Sequence, residues 1–424
     1  MFTLCKLFSV EFACFQGIIR NDYYYILSPG KNGLLKAIFI MCTAGKVIVR
    51  GRRLANTAIS FQNAEVLFMS TVTEPVTRQT GGIGAEYRKI IRKRVLLLLV
   101  LFIAICASVI LDFTIGPARL DLSTLLTALI DPSSVDDATR VIVWDIRLPF
   151  TLMAVVVGFA LGMAGSEMQT ILNNPLASPF TLGVSSAASF GAALALVLGV
   201  GIPWIPGQWL VTGNAFIFAI LTAFILNLVS RRTVNTRTTV VLFGIALVFT
   251  FNALVAMMQF IASEDTLQSL VFWTMGSLGR ASWPKLGILA AAIVILLPWA
   301  MRSAWQLTAL RLGEDRAASF GIDVARLRMT SLLRISLASA LAVAFVGPIG
   351  FIGLVAPHIA RQLVGEDHRF YLPASGLIGA LVLSLASVVS KNIEQGVIIP
   401  IGIITSLVGV PFFIVIILRH RGNL

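Results

Sequence analysis

Val95-Leu-Leu-Leu-Leu-Val-Leu-Phe-Ile-Ala-Ile-Cys-Ala-Ser-Val-Ile-Leu-Asp-Phe113 follows directly on Arg88, Lys89, Arg92, Lys93 and Arg94. An apolar run of this length is close to the ~20 residues an α-helix needs to cross a hydrocarbon core. Positive charge concentrated at its entrance marks the side of a membrane that stays inside. Comparable runs recur from Val95 to the C-terminus. The chain is 57% hydrophobic and 12% charged, with a mean hydropathy of +0.90. About a quarter of the residues in a soluble domain are charged. The expected fold is therefore all-α, a polytopic membrane bundle.

The net charge of +13 does not point to nucleic acid, because the basic residues fall in short loops at alternate helix ends and form no basic domain. Cys5, Cys14, Cys42 and Cys106, with His358, His368 and His420, show no metal-ligand or disulfide spacing. No Walker A sequence, nucleophile elbow or HExxH motif is present. No catalytic residue, metal ligand or cofactor is expected, and any ATP energy must come through a partner.

Charge places the spans. The first is expected at about 95–113, the second at 147–170, the third at 180–200, the fourth at 208–230, the fifth at 238–262 and the sixth at 284–302. Leu332–Val346 and Ile349–Leu363 supply a short seventh and eighth, hinged at Gly347-Pro348-Ile349-Gly350. The ninth is expected at 372–390 and the tenth at 401–418. Asp121, Asp131, Asp136, Asp137 and Asp145 suit an outside loop, and Pro203-Trp204-Ile205-Pro206 forms another without a basic residue. About ten spans with both termini cytoplasmic satisfy every loop. Residues 1–68 match nothing in this pattern and are expected to be translated leader without function, with Met69 the expected start. A regulatory extension is the alternative. Residues 69–94 read as a polar, basic cytoplasmic tail, and 95–421 as the transmembrane domain.

One polar segment stands apart. Leu310-Arg-Leu-Gly-Glu-Asp-Arg-Ala-Ala-Ser-Phe-Gly-Ile-Asp-Val-Ala-Arg-Leu327 is too charged to cross a membrane and is patterned like two small helices. Gly313 can break the incoming helix, and Glu314, Asp315 and Arg316 open the next, the two acids suiting its positive first turn. Gly321 can close that helix in a left-handed cap, and Asp323 can cap its successor. A compact pair at 313–327 is a handle by which another protein could work a channel that lacks a motor.

Elsewhere, Gly158, Gly162 and Gly165 have small-xxx-small spacing, which reads first as close helix packing. Glu167 and Gln169 read as hydrogen-bonded structural groups ahead of a proton relay. In Asn173-Asn174-Pro175-Leu176-Ala177-Ser178-Pro179 two prolines forbid a continuing helix. That stretch is either a tight turn or a constriction in a pathway.

These residues together resemble the FecCD-type permeases: Arg147-Leu-Pro, Gly165-xxx-Gln169, Asn174-Pro-Leu-Ala-xx-Pro179, Phe272-Trp-Thr-Met-Gly-Ser277, Gly347-Pro-Ile-Gly-Phe-Ile-Gly-Leu-Val-Ala-Pro-His358, Asp367-His-Arg369, Leu372-Pro373 and Pro400 through Thr405 and Gly409 to Phe412-Phe413. The resemblance covers about residues 90–420. It implies the membrane subunit of an ABC importer for ferric siderophores, haem or cobalamin, in the cytoplasmic membrane. The implied partners are a second permease subunit (itself or a paralogue), a cytoplasmic ABC ATPase dimer and a substrate-binding protein. On this resemblance 313–327 is the coupling pair, with Gly313, Glu314, Asp315, Arg316 and Gly321 meeting the ATPase. Asn174, Pro175 and Leu176 form the cytoplasmic gate, and Arg147 and Lys391 dock the binding protein. Three positions depart from the pattern: Phe150 stands where a second arginine is usual, Ser387 where an aspartate is common, and Ile399 where a glutamate is typical. The competing expectations are an ion-gradient-coupled transporter or channel and, more remotely, a membrane enzyme. The 313–327 handle and the lack of an acid–histidine ladder across the spans favour the importer.

Overall fold

A computed structural model of the chain describes residues 82–420, except 117–119, 202–205, 233–235 and 395, together with strands at 23–29, 35–43 and 46–53. The Met69 boundary, Arg421 and most of the 203–206 loop lie outside the described residues. The chain divides into two compact units, Met1–Gln79 and Thr80–Leu424.

The first unit departs from the all-α expectation. Tyr23–Pro29 (β1), Leu35–Thr43 (β2) and Lys46–Arg53 (β3) form an antiparallel meander. Its register pairs Ile26 with Ile38 and Ile40 with Val49. The β-branched and aromatic residues crowded here favour a pleated chain over a helix.

The second unit is helical throughout its described residues. Its elements are α1 (Gly82–Thr114), α2 (Leu122–Ile130), α3 (Asp137–Val141), α4 (Leu148–Ile171), α5 (Val184–Leu198), α6 (Gly207–Arg232), α7 (Thr236–Ile261), α8 (Glu264–Thr274), α9 (Trp283–Arg302), α10 (Ala304–Leu310), α11 (Glu314–Ser319), α12 (Val324–Val346), α13 (Ile352–Val364), α14 (His368–Asn392) and α15 (Ile401–His420). A π-helical turn, Ile142–Arg147, joins α3 to α4 without a break. Among the described residues seven helices are long and apolar enough to cross a membrane, while Val184–Leu198 and Ile401–Val415 are shorter apolar stretches. About ten spans are expected from the sequence; the described residues supply seven of full length and these two shorter apolar stretches.

Two boundaries differ from the sequence reading. The short seventh span is a full helix of 23 residues, because nothing between Val324 and Val346 breaks it once Asp323 has capped its first turn. The second small helix of the polar segment is simply the start of this one. In addition α1 begins 13 residues before Val95, so the basic segment from Gly82 is helical and continuous with the span.

Buried α4 forms the core of the bundle, and glycine makes its position possible. A Cβ at Gly158 would lie 2.3 Å from the Gly379 carbonyl oxygen, one at Gly162 2.2 Å from that of Ser375, and one at Gly165 1.9 Å from that of Gly353. Backbone meets backbone along the whole α4–α14 seam and on to α13. Inside a bilayer there is no water to expel between helices, so such close contact replaces hydrophobic burial as the force that joins them. The chain between α12 and α13 turns through Gly347 at φ 83° and Phe351 at φ 67°. The Phe351 conformation is costly for a residue with a side chain. Gly409 of α15 leaves it room, since a Cβ there would sit 2.4 Å from the Phe351 ring.

Candidate functional site

The polar segment folds as its residues dictate. Gly313 takes φ 114°, and its N–H donates to Leu310 O at 3.1 Å, ending α10. Glu314 and Asp315 occupy the first turn of α11. Gly321, at φ 78°, closes α11 in a left-handed cap, with the Ile322 N–H donating to Ala317 O at 3.2 Å. The Asp323 carboxylate accepts from the Arg326 N–H at 2.9 Å. Trp305, Leu312 and Phe320 are exposed around this tip, with the Trp305 and Phe320 rings 6.4 Å apart. Apolar side chains on a charged, capped tip make a surface suited to a protein cleft.

Arg328 ties this tip to the turn at 173–176. Its Nη2 donates to Glu314 Oε1 at 2.7 Å, and its Nε to the Ile171 carbonyl at 3.4 Å. Arg311 makes a second tie, donating from Nη1 to Asn173 Oδ1 at 3.1 Å and from Nη2 to Glu366. Asn173 adopts φ 47°, a conformation asparagine tolerates. Asn174 Oδ1 accepts from the Leu176 N–H at 2.9 Å, folding the turn back on itself. Leu176 is left 41% exposed at its tip. The segment and the turn, read separately in the sequence, are neighbours in the fold.

The same end gathers most of the remaining charge. Arg361 Nη2 donates to Gln169 Oε1 at 3.2 Å, and Arg94 Nη1 to Asp367 Oδ2 at 3.3 Å. Buried His368 is bracketed by Thr170, 2.8 Å from Nε2, and Thr308, 3.2 Å from Nδ1. The hydrogen bond from Arg311 holds the Glu366 carboxyl below its ordinary range against the opposing effect of burial, with help from the Arg311 and Arg361 charges. A carboxyl held low in the folded state adds stability above its unfolded pKa and loses it as acid protonates it. The tie at Glu366 is accordingly expected to be intact at neutral pH and to loosen only below the ordinary glutamate range. Glu366→Gln should abolish that acid-side loss in melting curves; an unchanged acid limb would assign it to another group.

At the opposite end Arg147 and Lys391 point inward. Arg147 is 4% exposed, and its Nη1 donates to Phe113 O at 3.1 Å and to Thr114 O at 3.3 Å. Lys391, 7% exposed, donates from Nζ to Asp112 Oδ2 at 2.9 Å and to Asp112 O at 3.0 Å. The Asp112 carboxylate also accepts from Thr151 Oγ1 at 2.6 Å and Ser387 Oγ at 2.7 Å. The Lys391 ammonium lies 4.4 Å from the centre of the Phe150 ring, within cation–π range. Both bases, expected at the docking surface for a binding protein, are buried and donate to the end of α1.

Residues 97–419 match the model of the FecCD transport family. The chain belongs to this family. The haemin transport system permease protein HmuU of Yersinia pestis is 35% identical over 307 residues, covering 72% of this chain and 92% of its own. The vitamin B12 import system permease protein BtuC of Klebsiella pneumoniae is 36% identical over 284 residues, covering 67% and 84%. A solved structure, described as an inward-facing ABC transporter of metal-chelate type, superposes with a TM-score of 0.67 at 30% identity, covering 76% of this chain and 99% of that one. The chain is therefore a membrane-embedded ABC importer permease.

Two of the three departures, Ser387 and Phe150, meet at Lys391 and its partner Asp112. Ser387, where the resemblance leads to an aspartate, donates to the Asp112 carboxylate of α1. Phe150, in the place of a second arginine, gives the ammonium of Lys391 a ring face. Asp112 escaped the sequence reading, although an acid in the last turn of an apolar run is itself a signal of a buried partner. Lys391→Met is expected to leave Asp112 buried without its cation, a loss of about 3–5 kcal/mol. Lys391→Glu is expected to be worse. Melting temperatures of the purified variants test both, and wild-type stability in Lys391→Met would remove the pair from the account.

Proposed function

We propose that this permease carries a ferric siderophore across the cytoplasmic membrane by alternating access, driven by two partner ATPases. The observation that carries the reading is the Arg328 tie. It connects the exposed tip at Glu314 to the end of α4, from which the 174–176 turn emerges. The end rich in Arg94, Arg311, Arg361 and Arg369 is assigned to the cytoplasm by the positive-inside rule. There Gly313, Glu314, Asp315, Arg316 and Gly321 form the face that an ATPase grips, and Asn174, Pro175 and Leu176 form the gate.

A substrate-binding protein delivers ligand to the opposite end. Arg147 and Lys391 hold α1 in place beneath that docking face and do not form the contact itself. A second permease subunit completes the pathway. Haem and cobalamin, named for two relatives, and the metal-chelate class of the solved neighbour are all chelated metals, which supports a chelate as cargo. Extraction in mild detergent is expected to bring an ABC ATPase with the chain. Recovery of the chain alone after crosslinking would end the importer reading and leave gradient-driven transport. Among ferric siderophores, haem and cobalamin offered to the reconstituted complex, only the siderophore is expected to accumulate. Accumulation of haem or cobalamin instead would reassign the cargo and leave the mechanism standing.

A further inference from the structure

Arg328, Ser331 and Arg334 stand three residues apart and share one face of α12. Opposite them on antiparallel α4 stand Glu167 and Ile171, four residues apart. Arg334 donates to Glu167 Oε2 from Nη2 at 2.6 Å and from Nε at 3.0 Å. Its Nη2 also donates to Ser331 Oγ at 2.9 Å, and the guanidinium lies 5.4 Å from the centre of the Trp299 ring. Both charged side chains are 1% exposed. Arg328 reaches the Ile171 carbonyl one turn further along. Two polar rungs therefore join the helices, immediately before the 173–176 turn on α4 and immediately after the polar tip on α12.

We propose that Arg334 and Arg328 are positioning residues that weld α4 to α12, so that the coupling tip and the gate move as one rigid lever. The inference rests on the transport reading above. Apolar side chains alone could re-seat after a slip of one helical turn. A slip here strands a carboxylate and a guanidinium without partners and away from water, the costliest state open to a buried pair. The glycine seam holds α4 on another face, leaving it no independent path. Motion at the tip reaches the gate undiminished.

The test compares the wild-type complex, reconstituted with its ATPase and binding protein, with the same complex carrying Glu167→Met and Arg334→Met together. This pair of changes replaces both charges with apolar side chains of similar size, a replacement buried ion pairs often tolerate. The double variant is expected to melt as wild type does and to hydrolyse ATP. It should move about tenfold less siderophore per ATP, within the range of typical coupling free energies. Undiminished transport per ATP would overturn the weld. A second measurement covers the case in which the variant does not fold. Spin labels at Leu176→Cys and Phe320→Cys, in an otherwise wild-type chain with Cys5, Cys14, Cys42 and Cys106 replaced, should keep one separation with and without bound ATP. A separation that changes with nucleotide overturns the rigid lever. A wild-type complex that moves no ligand on ATP overturns the transport reading, and the inference with it.

Discussion

Gly165→Ala is expected to yield no folded permease. The added Cβ would lie 1.9 Å from the Gly353 carbonyl oxygen, 2.6 Å from its carbonyl carbon and 2.8 Å from its Cα. All three are backbone atoms, so no side chain can swing away to make room. α4 would have to retreat from α13, and the retreat would open the adjoining seam, where Gly162 faces Ser375 and Gly158 faces Gly379. The cost belongs among the exceptional ones, above about 4–5 kcal/mol. Gly287→Ala, on α9, is the control: nothing lies within 4 Å of its Cβ. A helical alanine there is expected to gain about 0.5–1 kcal/mol. Monodispersity and yield after extraction read both variants. A well-behaved Gly165→Ala protein would show that the seam is looser than its geometry.

Glu314→Arg is expected to reduce ATP-driven uptake about 100-fold or more, equivalent to about 2.7 kcal/mol of lost coupling. Membrane insertion should be unaffected. The substitution places a second guanidinium against buried Arg328, whose Nη2 donates to Glu314 Oε1 at 2.7 Å in the wild-type chain. It also reverses charge in the first turn of α11. The bundle core is untouched, since the residue sits on the polar tip. Gly313→Pro should match it by another route: proline cannot take φ 114° and would lose the N–H that donates to Leu310 O. Normal uptake in either well-inserted variant would remove the tip from the transport cycle.

Local structure was open to reading from the sequence wherever backbone chemistry decides it. The Gly313 break, the Gly321 left-handed cap, the Asp323 cap and the stop at Asn173-Asn174-Pro175 all depend on residues within a few positions of one another. The glycine spacing on α4 announced close packing, although its partners Gly379 and Gly353 could not be named. Span positions from 147 to 302 followed from hydropathy and agree with the helices to within a few residues. Long-range pairing was out of reach. Nothing near Glu167 points to Arg334, and nothing near Lys391 points to Asp112, because each partner belongs to a helix far away in sequence. The direction of Arg147 was hidden for a different reason. The π-helical turn that ends at Arg147 resets which way the side chain faces, so matching a family position fixed the residue's place without its orientation.

The glycine seam also sets an order in time. Gly379 lies more than two hundred residues after Gly158, and at about 5–20 residues per second synthesis of that interval takes roughly 10–45 s. Throughout that interval α4 has already emerged, with a strip of bare backbone ready for a helix that does not yet exist. The Gly158–Gly379 contact is thus among the last to close during synthesis. A chain cut short before His368 would hold α4 against α12 and α13 but leave its Gly158 and Gly162 backbone uncovered in the membrane.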